Sequence, residues 1–242
     1  MPIPVQRSFR AMEKARHHKP AVVFDLFGTL LDVSRLADQP EIAALPDAPS
    51  IVRSWREKQL TYAFLCAAMG TYRDFDSLTE AALHYALSLH DVELSAESKT
   101  SLCAAWSTLP PYADVAESLQ ALINQGLTCA VATNGTLATA IRTLETSGLR
   151  SFISMVLSAD EVRTLKPSPA IYAAIATRLQ REPHDCLFVT SNGWDAIGAA
   201  TFGLSVIWCN RLNMPAETIG PAPHETIRNL AELPALIAHL RS

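Results

Sequence analysis

The sequence predicts an α/β fold: a doubly wound parallel sheet with a helical cap inserted after the first strand. Three observations carry that prediction. Residues 21–24, Ala-Val-Val-Phe, form an apolar run of strand length that ends on an acid, Asp25, with a turning pair, Gly28-Thr29, close behind. From residue 114 onward, short apolar runs alternate with helical patterns, which is the signature of a parallel sheet. Between these two regions three helical patterns follow one another without a strand.

In chain order, residues 1–19 carry Arg7, Arg10, Lys14, Arg16 and Lys19 against Glu13 and have no apolar core. They are expected to be a flexible basic leader, not a secretory signal. The core is expected to span 20–33 and 111–242, and the cap 34–110. Within the cap, 49–69 reads as a long amphipathic helix with Pro49 at its start and Trp55, Leu60, Phe64 and Leu65 on one broad face. Asp76-Ser77 with Glu80 forms a capping box for a second helix carrying Leu78, Ala81, Tyr85 and Leu89. A third runs over 95–106, and Pro110-Pro111 closes the insertion. Strands then follow at 127–132, 152–157, 186–190 and 205–209. Helices fall at 114–124, 136–147, 169–179 and 194–202, the last ending at Gly203, and a final helix covers about 231–240.

The totals fit a globular protein of one large domain or a domain plus insertion: 242 residues, 49% hydrophobic and 18% charged. A net charge of −4 gives no general affinity for nucleic acid or anionic membranes. No stretch approaches the roughly 20 apolar residues that span a bilayer. The five cysteines are scattered without a Cys-x-x-Cys pair and read as reduced thiols, which suits the cytoplasm.

In a parallel sheet the strand ends share one edge, where ligands bind. Asp25, Thr133-Asn134, Lys166 and Ser191-Asn192-Gly193-Trp194-Asp195 all follow predicted strands. Each has an ordinary reading alone: a solvated acid, a turn, a surface lysine. Together they converge on a site.

Here the chain resembles the haloacid dehalogenase superfamily, with Asp25-Leu26-Phe27-Gly28-Thr29 as its first motif, Thr133-Asn134 its second, Lys166 its third and Asn192 to Asp195 its fourth. Within it the chain looks most like the L-2-haloacid dehalogenases, through Trp55-Arg56-Glu57-Lys58-Gln59-Leu60, Lys166-Pro167 with Tyr172, and Ser191 to Asp195. The resemblance implies a metal-independent hydrolase without a cofactor, acting on a small-molecule carboxylate, and a homodimer. Asp25 would displace a C2 substituent with inversion, forming an aspartyl ester that water hydrolyses. Thr29 would orient Asp25, and Lys166 would balance the paired carboxylates. Asp195 would activate water, with Asn192 nearby. Thr133 and Asn134 would hold the substrate carboxylate, and Tyr172 would support Lys166. Arg56, Asn192 and Phe75 would receive a halide, and Leu60 and Trp194 would be apolar walls or plain core packing.

The superfamily's phosphatases carry a second Asp where this chain has Phe27, which transfers no proton, and the fourth motif offers Mg²⁺ only neutral Ser191 and Asn192 before Asp195. That counts against phosphoryl transfer. Phe27 stands where the dehalogenases usually have tyrosine, Glu57 where they have glutamine, and Thr133 and Thr190 where they have serine. Glu57 either pairs with Arg53 on the helix surface or faces the pocket. In the pocket it would suit a cationic leaving group, as in the related hydrolases that open L-azetidine-2-carboxylate to 4-amino-2-hydroxybutyrate. The halide reading stands slightly ahead on motif count.

Overall fold

The computed structural model describes residues 21–45 and 47–241; the leader expected at 1–19 lies outside the described residues. Among the described residues six strands form a single sheet: β1 (Ala21–Phe24), β2 (Thr128–Thr133), β3 (Ile153–Ser158), β4 (Leu187–Thr190), β5 (Ser205–Cys209) and β6 (Glu225–Ile227). They are all parallel, in the order β3-β2-β1-β4-β5-β6. The order reverses between β1 and β4. That switch point opens a crevice at the carboxyl ends of the strands, and Asp25 and Asn192 lie there.

β1 is apolar throughout because both faces of the sheet are covered. Val22 and Phe24 enter one core with α4 (Val115–Asn124), α5 (Leu137–Thr146) and α8 (Leu233–Arg241). Val23 enters the other with α6 (Pro169–Leu179) and α7 (Gly193–Phe202). Past Asp25 the chain turns at Gly28, whose φ of 87° is favourable only for glycine. The amides of Leu30 and Leu31 return to Leu26 O at 2.9 and 3.1 Å, which ties the turn down.

The insertion consists of α1 (Ala48–Met69), α2 (Phe75–Leu89) and α3 (Ala96–Ala105). Trp55 on α1 is fully buried and its indole N–H donates to Thr79 O on α2 at 2.8 Å. A separate apolar cluster joins Ala63 and Cys66 of α1 and Phe75 and Leu78 of α2 to Ala159, Leu165 and Ile171 of the core. This cluster seats the insertion over the strand ends. No helix among the described residues is long and apolar enough to cross a membrane.

Some expectations shift. Asp74, not the Asp76-Ser77 pair, caps α2: its carboxylate accepts from Ser77 N at 2.8 Å, while Asp76 reaches across to the core. Leu65, Tyr85 and Leu89 are exposed. The buried stripe of α1 instead runs through Ile51, Val52, Trp55, Gln59, Ala63 and Cys66. β6 is too short to leave an alternating pattern, and α8 begins at Leu233 after a 3-10 turn.

Candidate active site

β1 delivers Asp25 to the switch point, where it is almost wholly buried. One carboxylate oxygen, Oδ2, accepts from Thr29 Oγ1 at 3.0 Å and from Asn192 Nδ2 at 2.8 Å. The other, Oδ1, accepts from Lys166 Nζ at 3.0 Å. The same ammonium donates to Asp195 Oδ2 at 2.9 Å, and Tyr172 donates to Asp195 Oδ1 at 2.7 Å. Lys166 and Asp195 are fully buried. The result is a line, Asp25–Lys166–Asp195–Tyr172, with two carboxylates sharing one cation. Two backbone amides help to hold it in place. Ser191 N donates to Thr29 Oγ1 at 2.8 Å, and Lys166 N donates to Asn134 Oδ1 at 2.7 Å.

The charges follow from burial. Desolvation alone would push the Lys166 ammonium down, but Asp195 and Asp25 outweigh it and hold its pKa above the usual lysine value. Burial raises the Asp195 carboxyl above the carboxylate range, and Lys166 pulls against that. The Tyr172 hydroxyl is pushed well up by burial and by Asp195, so it remains a proton donor to that carboxylate.

α1 closes the site from above. Arg56 donates from Nη2 to Phe27 O at 3.3 Å and from Nη1 to Gln59 Oε1 at 2.6 Å, and lies 5.6 Å over the Trp106 ring. Burial lowers its pKa to about 10, so it stays charged at neutral pH. Asp25, Phe27, Arg56, Leu60, Phe75, Thr133, Asn134, Lys166 and Trp194 surround a cavity of about 10 Å³, room for about one water. Among the described residues no group of three or more His, Cys, Asp or Glu side chains is placed to hold a metal.

The family model for haloacid dehalogenase-like hydrolases matches residues 19–203. This chain belongs to that family. Among relatives of this hydrolase, (S)-2-haloacid dehalogenase 2 of Pseudomonas sp. (strain CBS-3) is 37% identical over 216 residues, covering 89% of this chain and 94% of the relative. (S)-2-haloacid dehalogenase 4A of Burkholderia cepacia is 36% identical over 221 residues, 90% of this chain and 94% of its own. The solved L-2-haloacid dehalogenase of Xanthobacter autotrophicus, with chloropropionic acid covalently bound, superposes with a TM-score of 0.85 at 34% identity, covering 91% of this chain and 99% of that one.

In this haloacid dehalogenase-like hydrolase, Asp25, Thr29, Lys166, Asn192 and Asp195 are brought together by the bonds above, and all nine cavity-lining residues stand among those singled out in the sequence. Glu57 does not join them. It is exposed on the outer side of α1, one residue from Arg56 and thus about 100° away around the helix. Nor does it pair with Arg53, whose guanidinium donates to Ser50 Oγ at 2.7 Å. Tyr172, Thr190 and Ser191 also lie outside the cavity lining. Tyr172 acts on Asp195, Thr190 Oγ1 accepts from Asn192 N at 3.1 Å, and Ser191 serves through its backbone.

Three contributors are missing from the sequence reading of this hydrolase. Gln59, fully buried, fixes the Arg56 head and is itself bonded to Thr79. A polar residue on an otherwise apolar helical stripe is the signal that could have found it. Trp106 packs edge-on against Phe27 with centroids 5.5 Å apart. Arg211 donates from Nε and Nη2 to Thr29 O at 3.3 and 3.1 Å and pairs with Asp114 at 2.9 Å, anchoring the turn after Asp25. No local motif marks either of these.

Gly135 sets the position of the Phe27 ring. A Cβ there would stand 2.7 Å from Phe27 Cε2, and Trp106 backs the ring on another side. Gly135→Ala is expected to displace Phe27 into the cavity and lower kcat/KM at least about tenfold. The overpacking should cost about 1–3 kcal/mol of stability. Steady-state kinetics and a denaturant melt on the same sample check both numbers.

Proposed function

We propose that this chain is an (S)-2-haloacid dehalogenase that converts small 2-haloalkanoates to (R)-2-hydroxy acids and halide. The observation that carries the reading is the desolvated Asp25 carboxylate, fixed from three directions by Lys166, Thr29 and Asn192 at the floor of a cavity roofed by Arg56. A carboxylate held this way is a nucleophile stripped of water.

The substrate carboxylate is received by Thr133 and Asn134; Asn134 Nδ2 is buried, lines the cavity and has no partner in the protein. A buried donor of that kind is explained by a ligand acceptor. Asp25 attacks C2 from the face opposite the halogen. The carbon–halogen bond breaks with its electron pair on the departing halide, which Arg56 and Asn192 stabilise. In the second step water attacks the carbonyl carbon of the aspartyl ester. Its proton goes to Asp195, whose raised pKa suits a base near neutral pH. The acyl carbon–oxygen bond then breaks, and Asp195 returns the proton to the departing hydroxy acid, whose C2–oxygen bond stays intact. The Asp25 carboxyl, now carrying one oxygen from water, loses its proton to solvent to regenerate the carboxylate.

Azetidine ring opening loses its support, because the carboxylate that would meet a ring ammonium, Glu57, points to solvent. The cytoplasm, which suits five free cysteines, and a homodimer complete the reading. Size-exclusion chromatography checks the second.

A single turnover in H₂¹⁸O with enzyme in excess tests the mechanism. The hydroxy acid should emerge unlabelled while the peptide containing Asp25 gains ¹⁸O. Label in the product instead would mean that water attacks C2 directly and would remove the ester intermediate.

A further inference from the structure

A second cavity, of about 240 Å³, lies on the far side of the aromatic wall of the Asp25 cavity, between α2, the end of α3 and α5. Its size approaches the roughly 300 Å³ at which small-molecule sites begin. Phe27 and Phe75 line both spaces, so two side chains separate them. Phe27, Phe75 and Trp106 form its apolar inner wall, Thr79, Ser107 and Thr139 add hydroxyls, and Ala104, Ala138, Asp76 and Arg142 are exposed toward its open side. Asp76 accepts from Thr136 and Thr139 hydroxyls at 2.9 and 2.8 Å, which bridges insertion and core beside the chamber.

We propose that this chamber is a side-chain subsite that takes the alkyl arm of 2-haloacids longer than propionate, an inference that rests on the haloacid reading. The cavity at Asp25, at about 10 Å³, has no room for an alkyl arm. An arm of several carbons on C2 needs apolar space within reach, and the chamber across the Phe27–Phe75 wall offers it. The two wall residues differ in freedom. Phe27 is pinned between Gly135 and Trp106. Phe75 is buried against the cluster that seats the insertion, but it is the first residue of α2 and follows the mostly exposed residues 71–74, so its ring is the one that has to turn to admit the arm. Arg142 and Asp76 keep the far end wet, so the arm's apolar length is limited by the chamber's depth.

The test compares (S)-2-bromopropionate with (S)-2-bromohexanoate, which share a leaving group, on the wild-type protein and on the variants Ala104→Trp and Ala138→Trp. Both alanines are exposed on the chamber wall and distant in sequence from each other, so either bulky ring fills the space without entering the packed core. The wild type is expected to process both acids. Each variant should keep its rate on bromopropionate, which also reports that it is folded, while kcat/KM for bromohexanoate falls at least about tenfold. Turnover of bromopropionate without bromohexanoate in the wild type overturns the subsite and leaves the dehalogenase reading standing. An equal fall with both acids in the variants makes the chamber a route rather than a subsite, and also overturns it. Variants that process bromohexanoate as fast as the wild type show that the arm lies elsewhere. Wild-type protein silent with both acids removes the dehalogenase reading, and the subsite with it.

Discussion

Asp25→Asn should abolish turnover of 2-haloacids, by at least about 10⁴-fold, in a protein that melts no lower than the wild type. On the proposed mechanism the activity loss comes from removing the nucleophile, and losses of that kind are large. The stability half of the prediction is specific to this arrangement. Asp25 and Asp195 share the Lys166 ammonium at 3.0 and 2.9 Å, so two carboxylates sit on one buried cation, with the Arg56 guanidinium on the roof as the further positive charge near them. An amide at position 25 keeps an acceptor for Lys166 and leaves a neutral Lys166–Asp195 pair, and relief of the repulsion between two carboxylates offsets the bond that its NH₂ end can no longer accept from Asn192 Nδ2. Halide release measured alongside a thermal melt checks both parts. Residual turnover within about tenfold of wild type would move the nucleophile elsewhere, and a sharply lowered melting temperature would mean that the Asp25 charge is structurally required.

Lys166→Met should fail in the opposite way, losing both activity and stability. Lys166 is fully buried and is the cation between the two acids. Removing one member of a buried ion pair leaves uncompensated charge and costs about 3–5 kcal/mol. The pH dependence has a definite sign. Burial already raises the Asp195 carboxyl, and Lys166 pulls it back down. Without that pull the folded-state pKa climbs further above the unfolded one. A carboxyl raised in this way binds its proton more tightly in the folded state, so folding is favoured below the unfolded pKa and the stability is lost as pH rises toward the folded pKa. The variant should therefore gain stability relative to wild type between pH 7 and pH 5 in denaturant titrations. An unchanged difference across that range would show that the two carboxylates do not depend on Lys166 for compensation.

Much of the floor of the candidate site was legible in the sequence, for a physical reason. A parallel sheet buried on both faces writes each strand as a short apolar run, and polar residues at the ends of such runs must share one edge. Asp25, Thr133, Asn134, Asn192 and Asp195 are placed by that rule alone, and Lys166 by the connection after β3. Helices that open on proline or end on glycine were equally readable, as α6 and α7 show.

The roof was less legible. α1 packs on α2 along one stripe and covers the cavity with another, so hydrophobic periodicity along its length does not say which neighbour faces Asp25. Arg56 and Leu60 do, Gln59 stands behind Arg56, and Glu57 looks outward. Which residues of the stretch 56–60 face the cavity is a question of rotation about the helix axis, set by where α1 rests on the core. The second chamber has the same origin. Its walls come from α2, the end of α3 and α5, segments far apart in the chain and joined only by packing. The sequence by itself determined the sheet, its active edge and the acids and lysine placed along it, because each is written locally, in an apolar run and the polar residues at its end. Only the tertiary structure decided which lid side chains close the site and what space lies behind Phe27 and Phe75, because those depend on how one helical layer is turned over another.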